Sequence, residues 1–410
     1  MLSHEHNERL TRVRKGTPAG EFLRRYWWPI GISQDLGDRA TFIRLLGEDL
    51  VLFRSGDGKL GVLESQCAHR RANLCLGEVE ADGIRCRYHG WKYANDGKLL
   101  EIPGEANPAR LMARIKQVAY PVIEQAGVIF TYLGPQPAPL LPQYDFLFAP
   151  GERRTQISGF SLSNWLQCVE NGMDPTHVTF SHGDVLTDLG SIPGRVEFDE
   201  TDQGYIHKTF RPGPHPGTSF YREQHLFMPG IVVSGAGKRL ILDGDNTSFA
   251  SLVRWTVPVD DDESMMINMT YKPAESPGRI NPSPDPALFG RWEATKVEPF
   301  KEYRNSSSPK SLGYHIPVSI PAQDATLLDS MGSISDRENE NLAFGDKGIS
   351  GMRRMYMAAI DATLAGRDPP AVFREPCLIR VPANERMVVD PGDADKAPPV
   401  TQYEREKAAV

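Results

Sequence analysis

The sequence is poor in cysteine and has no long hydrophobic run, and each scarcity restricts what the protein can be. Five cysteines among 410 residues are an odd number. They do not resemble a disulfide framework, so a reducing cytoplasm is the expected compartment. No stretch approaches the apolar length that a membrane-spanning helix needs, and the polar N-terminus does not resemble a signal peptide. The net charge of −7 argues against nucleic acid or an anionic membrane as the main partner.

The length of the chain predicts two domains, since 410 residues are many for one core. After an N-terminal segment (residues 1–30), short β-like runs with Asp-Gly turns predict an all-β module over residues 31–145. A larger mixture of helices and strands follows over residues 146–385, and residues 386–410 are expected to be an irregular tail. The Pro-rich stretch Leu133–Pro142 between the modules is typical of a linker. The predicted helices are Gly20–Tyr26, Asn164–Met173, Pro286–Asn305, Asp324–Leu328 and Ile349–Ala365.

Two of the five cysteines and two of the ten histidines stand in two short pairs. Cys67 and His69 form a C-x-H pair, and Cys86 and His89 form a C-x-x-H pair after sixteen intervening residues. Two such loops can clamp one metal centre. A structural zinc ion is one interpretation, but zinc sites usually pair like ligands. A Rieske [2Fe–2S] centre, with one iron on two cysteines and the other on two histidines, is favoured. The remaining cysteines are expected to pack in the core: Cys75, Cys168 and Cys377.

The stretch NWLQCVENGMDPTHVTFSH contains a second pair of histidines. His177 and His182 lie five residues apart, and Asp174 precedes the first by three. A five-residue step on a helix turns the side chain by about 500°, away from the original face, so a shared metal requires a helix end or turn. Pro175 after an Asp predicts such a break, with one helix ending near Gly172 and another starting at the proline. Two imidazoles and one carboxylate are the ligands of many O₂-activating iron sites.

These motifs resemble those of the ring-hydroxylating, Rieske-type non-haem iron oxygenases. CAHR and IRCRYHGWKY resemble their Rieske domain, and GTPAGEFLRRYWWPIGIS resembles the phthalate-dioxygenase-like branch, which includes aromatic-acid O-demethylases. The pattern E-N-x-x-D-x-x-H-x-x-x-x-H is similar to the iron-binding motif of that family. The resemblance implies an α+β protein, with an N-terminal all-β Rieske domain and an α+β catalytic domain built on an antiparallel sheet of the helix-grip type.

The resemblance also implies ligands and neighbouring residues for the second metal. His177 and His182 would bind a mononuclear iron, and Asp324 is the third candidate ligand, because IPAQDATLLDS resembles the family's C-terminal helix, where the ligand follows a Gln. Asp324 is equally compatible with a first-turn helix acid, and Asp329, Asp336 and Glu338 are rivals. Asp174 resembles the acidic residue that bridges the Rieske histidine of one subunit, here His89, to the iron ligand of the next. It is also a good N-cap. Asn171 resembles a position near the iron that stays unbound.

The resemblance further implies an oxygenase component with O₂ as co-substrate and NAD(P)H electrons supplied by a separate reductase or ferredoxin. No flavin or nicotinamide fingerprint is present in the sequence. The expected substrate is a phthalate-like or lignin-derived aromatic acid, with O-demethylation slightly favoured over ring hydroxylation. A pocket cation is therefore expected, and a head-to-tail homotrimer is expected too. A stand-alone Rieske electron carrier and a zinc-stabilised binding protein remain alternatives. The cations in the catalytic region, none of them singled out, are Arg211, Arg222, Lys238 and Arg239.

Overall fold

The N-terminus of the protein forms two short capped helices. The computed structural model describes residues 2–183, 191–213, 215–235, 241–242, 250–282, 319–381, 385–388 and 405–406. Helix α1 (His4–Thr11) begins after Ser3 and α2 (Pro18–Leu23) after Thr17, and each cap hydroxyl accepts a hydrogen bond from the first turn of its helix. Such hydroxyl caps are among the strongest helix-start signals. The predicted helix Gly20–Tyr26 therefore starts and ends earlier than expected.

The first module consists of short antiparallel strands, as the sequence predicts. They form three small sheets, ordered β1-β11-β10, β2-β3-β4-β9 and β5-β6-β7-β8. Gly58 and Gly97 adopt positive φ angles of 85° and 83° in the predicted Asp-Gly turns, a conformation that suits glycine. The strands are β1 (Trp27–Ile32), β2 (Thr41–Leu45), β3 (Glu48–Arg54), β4 (Leu60–Glu64), β5 (Glu78–Glu80), β6 (Gly83–Arg85), β7 (Lys92–Tyr93), β8 (Leu99–Glu101), β9 (Ala119–Tyr120), β10 (Val122–Gln125) and β11 (Val128–Tyr132), with helix α3 (Pro108–Met112) after β8.

The Pro-rich stretch between the modules is held against both of them. The indole N–H of Trp27 donates to the carbonyl of Pro139 at 2.9 Å, and the backbone N–H of Leu140 donates to Phe373 at 2.9 Å. Strand β12 (Gln143–Tyr144) and helix α4 (Asp145–Phe148) follow. The segment expected to be a linker is therefore a packed connection. The predicted domain limits at residues 30, 145 and 385 stay a prediction.

An antiparallel sheet forms the centre of the second module. In the described residues it has eight strands, ordered β13-β20-β19-β17-β16-β15-β14 with β23 beside β16. Glu385–Val388 is a strand of this sheet, and Arg405–Glu406 also pairs as a strand, so the prediction of an irregular tail is wrong at residues 386–388 and 405–406. The strands are β13 (Gly151–Ser161), β14 (Arg195–Glu200), β15 (Gly204–Pro212), β16 (Ser219–Phe227), β17 (Ile231–Gly235), β18 (Ile241–Leu242), β19 (Ser251–Asp260), β20 (Glu263–Pro273), β21 (Arg279–Ile280), β22 (Leu378–Ile379), β23 (Glu385–Val388) and β24 (Arg405–Glu406).

Helices cover one face of this sheet: α5 (Trp165–Gly172), α6 (His177–Ser181), α7 (Ile320–Ser330) and α8 (Lys347–Leu364). Glycines in two of these helices allow the helix backbone to lie close to the sheet. A Cβ on Gly172 of α5 would lie 3.2 Å from Val232, and one on Gly348 of α8 would lie 2.1 Å from Phe198. The Tyr356 hydroxyl of α8 donates to a backbone carbonyl in the β16–β17 turn at 2.7 Å. The segment of residues 170–182, which runs from the end of α5 through α6, therefore lies on this face of the sheet.

The two modules share a hydrophobic core. Trp255 of the large sheet packs edge-on against Phe130 of the first module and Phe146 of the connection, with ring centroids 6.4 and 5.8 Å apart. Beside this core, the carboxylate of Asp260 pairs with Arg14 and Arg44. The predicted helix over residues 286–305 lies outside the described residues. Within the part of the chain that is described, no helix is both long enough and apolar enough to cross a membrane.

Candidate metal centres

The two Cys/His pairs lie on two tight loops of the first module. The Cys67 carbonyl accepts from the N–H of Arg71, and the Cys86 carbonyl accepts from the N–H of Gly90. Gly90 has φ +74°, which glycine adopts without strain. The second turn follows directly after strand β6, which ends at Arg85. Each loop therefore presents one thiol and one imidazole.

The loops bring the four side chains together, with the two cysteines buried and the two histidines nearer the surface. Cys67 and Cys86 are 1% and 3% exposed, whereas His69 is exposed and His89 is half-buried. The rings of His69 and His89 are 4.7 Å apart, and His69 stacks on Trp91 at 4.4 Å with an interplanar angle of 2°. Two cysteines and two histidines brought together in this way are the donor set that would hold a Rieske [2Fe–2S] cluster.

Tyr93 adds a contact that the sequence does not reveal. Its hydroxyl lies 3.0 Å from the sulfur of Cys67, and burial raises the pKa of Tyr93, so the phenol stays protonated. Burial also raises the pKa of the Cys67 thiol, while the Tyr93 hydrogen bond acts in the opposite direction. The hydroxyl is thus a donor aimed at a prospective cluster sulfur. In the sequence, the one sign of this contact is that Tyr93 is an aromatic residue two positions after Trp91.

The break between the two iron-motif helices is present as predicted, with a shifted start. Helix α5 ends at Gly172 and α6 begins at His177, two residues after Pro175. A carboxylate oxygen of Asp174 accepts from the backbone N–H of Thr176 at 2.7 Å and from that of His177 at 3.4 Å. These contacts satisfy two of the free donors at the start of the helix. Asp174 therefore holds the start of α6, although the N-cap position itself is occupied by Thr176.

Both histidines and Asp324 converge on one point. The three donor atoms all lie within 4.8 Å of one another. Oδ1 of Asp324 is 3.5 Å from Nε2 of His177 and 2.9 Å from Nε2 of His182. His182 lies just past the end of α6, with φ −124° and ψ 2°, and this departure from the helix keeps both rings on one side. Two imidazoles and a carboxylate at such distances fit a single metal ion with open positions.

The placement of Asp324 separates it from its rivals. It is the fifth residue of α7, so it is not a first-turn acid. Asp329 accepts from the hydroxyls of Ser161 and Ser163. Asp336 caps a turn at Glu338 and Asn339, and Glu338 contacts His4 on the surface. Among the described residues, Asp324 is the carboxylate grouped with His177 and His182.

The electrostatics of the cluster keep the carboxylate charged. Burial alone would raise the pKa of Asp324, but the hydrogen bond to His182 and the nearby His177 and Arg254 outweigh it and lower that pKa. Burial also lowers the pKa of His177, which favours a neutral imidazole. An ionised carboxylate and a neutral imidazole are the protonation states that a metal ion requires.

Several residues around this centre were not singled out from the sequence. Gln323 lies with Oε1 2.6 Å from Nδ1 of His182, and Arg254 lies with Nη1 3.8 Å from Oδ2 of Asp324. The predicted neighbour Asn171 is in place, with its amide nitrogen 3.4 Å from Oδ1 of Asp324. Glu170 is clamped by two buried arginines. Gln323 precedes a predicted ligand, but nothing in the sequence marks Arg254, which is 70 residues from Asp324.

The four predicted cations have different positions. Arg211 is 2% exposed and braces the turn before α6 through a 2.7 Å hydrogen bond to the carbonyl of Pro175. Arg222 is partly exposed on strand β16. Lys238 and Arg239 lie outside the described residues. Arg211 is buried because alternate residues of a strand point to the same face and its face is covered by helices.

Comparison with known proteins distinguishes between the interpretations that the sequence leaves open. Residues 26–121 match the family model described as Rieske [2Fe-2S] domain, and residues 162–278 match the Vanillate O-demethylase oxygenase C-terminal domain. The chain is 34% identical, over 92% of its length and 85% of the relative, to the 5,5'-dehydrodivanillate O-demethylase oxygenase subunit of Sphingobium sp.. The chain belongs to the Rieske non-haem iron oxygenases.

Other relatives of this Rieske oxygenase agree with that assignment. It is 33% identical to phenoxybenzoate dioxygenase subunit alpha of Ectopseudomonas oleovorans, over 91% of this chain and 89% of that one. A carbazole-bound oxygenase and ferredoxin complex of carbazole 1,9a-dioxygenase has the same fold, with a TM-score of 0.58, 21% identity, and coverage of 86% of this chain and 93% of that one. The predicted α+β fold is confirmed. The chain is an oxygenase component, and the alternatives of a structural zinc protein and a stand-alone electron carrier are wrong. Family members combine a [2Fe–2S] cluster with a mononuclear iron and use O₂ and NAD(P)H electrons.

Proposed function

We propose that this oxygenase removes a methyl group from, or hydroxylates, an aromatic carboxylic acid of the lignin-derived or phthalate-like kind, with O-demethylation favoured. The observation that carries the proposal is the meeting of His177, His182 and Asp324 within 4.8 Å, in a chain that also holds the Cys/His loops. The choice of O-demethylation rests on the 34% identical 5,5'-dehydrodivanillate O-demethylase subunit.

The residues divide between two groups. Cys67, Cys86, His69 and His89 would hold the [2Fe–2S] cluster, and the buried sulfurs and neighbouring rings fit it. His177, His182 and Asp324 would hold the mononuclear iron. When bound, the cluster supplies single electrons and the iron activates O₂ for oxidation of the substrate.

The residues beside the iron site act on its geometry and charge. Asn171 donates toward Asp324 and so fixes the carboxylate orientation. Asp174 holds the first turn of α6 and thereby sets the position of His177. Nδ1 of His177 is buried and has no hydrogen-bond partner among the described residues, with Oδ2 of Asp174 at 3.9 Å. A small shift on assembly would let Asp174 accept from this N–H and orient the ligand.

Assembly into a head-to-tail trimer is part of the proposal. His89, the Rieske histidine expected to meet Asp174 of the next subunit, is half-buried and the Asp174 side chain is 33% exposed, so both can reach a neighbouring subunit. Mixing two inactive chains tests this arrangement: Cys86→Ser, which cannot hold the cluster, and His177→Ala, which cannot hold the iron. If electrons pass between subunits, mixed oligomers regain activity. Mixed oligomers without activity would mean that both centres must lie in one chain.

Oxygen uptake tests the function itself. The iron-loaded protein with a reductase and ferredoxin should consume O₂ with methoxybenzoates and release formaldehyde, and should do so less with a panel of neutral aromatic compounds. His177→Ala should keep the red-brown cluster spectrum and lose product formation, while His6→Ala on the exposed face of α1 should behave as wild type. Product formation by His177→Ala, or the absence of any O₂ uptake with aromatic acids, would contradict the proposal.

A further inference from the structure

The guanidinium of Arg254, on strand β19, lies beside the candidate iron site but makes no hydrogen bond to it. Nη1 lies 3.8 Å from Oδ2 of Asp324, and the side chain is 19% exposed. That distance is beyond a hydrogen bond. Within the described part of the chain, the guanidinium makes none. An arginine carries five donors in a planar fork, so this partly buried cation is available to an anion.

The surface around Arg254 is the part of the sheet that remains accessible beside the iron helices. Partly exposed positions alternate with buried ones on two strands, at Arg222 and Gln224 of β16 and at Leu252 and Arg254 of β19, and Asn268 is partly exposed between buried residues of β20. Cross-strand pairing places these side chains on one face of the sheet. Arg254 lies opposite Asn268. Ser234 of β17 lies opposite both Gln224 and Leu252. Gln224 also donates to the carbonyl of Gly172 at the end of α5. The accessible face is therefore the one that looks toward the iron motif.

Asn268 adds a second free polar group to this face. Its Oδ1 is buried and has no hydrogen-bond partner among the described residues, although a buried polar atom without a partner costs about 1–3 kcal/mol. It lies directly across from Arg254 in the sheet. Two adjacent unsatisfied polar side chains beside a reaction centre are a feature of ligand pockets, in which few polar groups fix the orientation of the bound molecule.

We infer that Arg254 binds the carboxylate of the substrate and that the amide of Asn268 makes a second polar contact with the same molecule. The inference rests on the proposed function and names the cation that its aromatic acid requires. A guanidinium matches a carboxylate in a two-bond geometry that lysine cannot reproduce. Once Asp324 binds the metal, the guanidinium of Arg254 has no other hydrogen-bond acceptor among the described residues. The acid end of the substrate would then be held at the sheet, next to the candidate iron site.

A second role for Arg254 makes different predictions. If its charge served only to balance Asp324, replacing it would weaken iron retention, and any change in affinity would be the same for charged and neutral ligands. If it binds the substrate carboxylate, the loss should be confined to acids and iron content should be unchanged.

Ligand binding to the reduced, iron-loaded enzyme under anaerobic conditions separates these cases. The probes are 3-methoxybenzoate and 4-methoxybenzoate, each compared with its uncharged primary amide. Arg254→Gln should raise the Kd of the acids roughly 10- to 100-fold, the range for losing a charged hydrogen bond, and should change the Kd of the amides less than about twofold. Arg254→Lys should give an intermediate value. The matched control is Arg195→Gln on β14, where the arginine pairs with Glu197 and stacks on Phe210.

Each other outcome overturns the inference. An unchanged acid Kd in Arg254→Gln, or equal weakening of acid and amide, would assign Arg254 to support of Asp324. Loss of iron in Arg254→Gln and retention in Arg195→Gln would lead to the same conclusion. If the wild-type enzyme binds and oxidises neutral compounds and no acid, the proposed function fails together with this inference. If it oxidises acids that bind equally well to Arg254→Gln, only the inference fails.

Discussion

The amide oxygen of Gln323 lies 2.6 Å from Nδ1 of His182. Because a carbonyl oxygen can only accept, Nδ1 donates its proton to Gln323. Nε2 donates to Oδ1 of Asp324 at 2.9 Å in this structure, so it is the nitrogen left to bind a metal ion once it gives up that proton. The contact with Gln323 thereby fixes the orientation of the buried His182 ring. Gln323 and Asp324 are consecutive residues of α7, so one turn of helix supplies both a candidate ligand and the group that orients another.

Removal of this acceptor should weaken iron binding. Gln323→Leu keeps the side-chain bulk but leaves Nδ1 of His182 unpaired, and loss of such a supporting hydrogen bond typically costs about 10- to 100-fold in metal affinity. Gln323→Glu retains an acceptor and should hold iron nearly as well as wild type. Iron content after dialysis against a weak chelator measures the effect, with the cluster absorbance as internal reference. Equal iron retention by Gln323→Leu and wild type would show that the ring is oriented by other contacts.

Asp174 should affect electron delivery more than metal binding. Asp174→Asn preserves the side-chain oxygen that accepts from Thr176 at 2.7 Å, so the start of α6 should stay intact, but the negative charge is removed. We expect both metals to remain bound and the oxidation of the reduced cluster in a single turnover to be slower. Stopped-flow absorbance of the cluster measures that rate. Asp174→Ala, which also removes the cap, should lose iron in addition. An unchanged rate in Asp174→Asn would exclude an electronic or bridging role for the carboxylate.

The parts of the two centres that the sequence predicts are those whose groups are close along the chain. Cys67 and His69, or His177 and His182, lie on single turns, where local backbone rules suffice. Asp324 is 142 residues from His182, and only the family resemblance pointed to it. The position of Arg254 could not be predicted because it depends on how the strands pair. A shift of one residue in the strand register would turn its side chain to the opposite face of the sheet. Arg211, considered from the sequence as a pocket cation, instead braces the turn at Pro175.

The hydroxyl of Tyr93 should raise the reduction potential of the cluster. It lies 3.0 Å from the sulfur of Cys67, and a donor to sulfur stabilises the reduced, more negative state. Tyr93→Phe should therefore lower the midpoint potential by about 40–60 mV, the equivalent of roughly 1–1.5 kcal/mol for one electron. A spectroscopic redox titration measures this shift. Tyr88→Phe, on the same loop but 58% exposed, is the control and should leave the potential unchanged. A potential unaffected by Tyr93→Phe would mean that the hydroxyl does not donate to the cluster.

Glu170 should be a major contributor to the stability of the catalytic module. Its carboxylate accepts from Arg353 at 2.6 Å and from Arg337 at 2.9 Å, and these arginines are 6% and 1% exposed. Glu170→Gln leaves the buried Arg337 without its ion pair and Arg353 with Glu340 alone, and breaking a buried ion pair typically costs about 3–5 kcal/mol. Thermal unfolding of the metal-loaded protein should show a lower midpoint. Glu338→Gln, at an exposed contact with His4, is the control and should have little effect.

The pH dependence of the Glu170→Gln effect distinguishes the ion pairs from simple packing. Burial alone would raise the pKa of Glu170, but Arg337 and Arg353 outweigh it and lower that pKa below its ordinary value of 4.5. A carboxylate with a depressed folded-state pKa contributes stability that is complete above the unfolded value and is lost as the pH falls through the folded one. The difference in unfolding midpoint between wild type and Glu170→Gln should therefore be constant near neutral pH and shrink below about pH 4.5. A difference that stays the same in acid would mean that the loss comes from packing, because packing does not change with the protonation of Glu170.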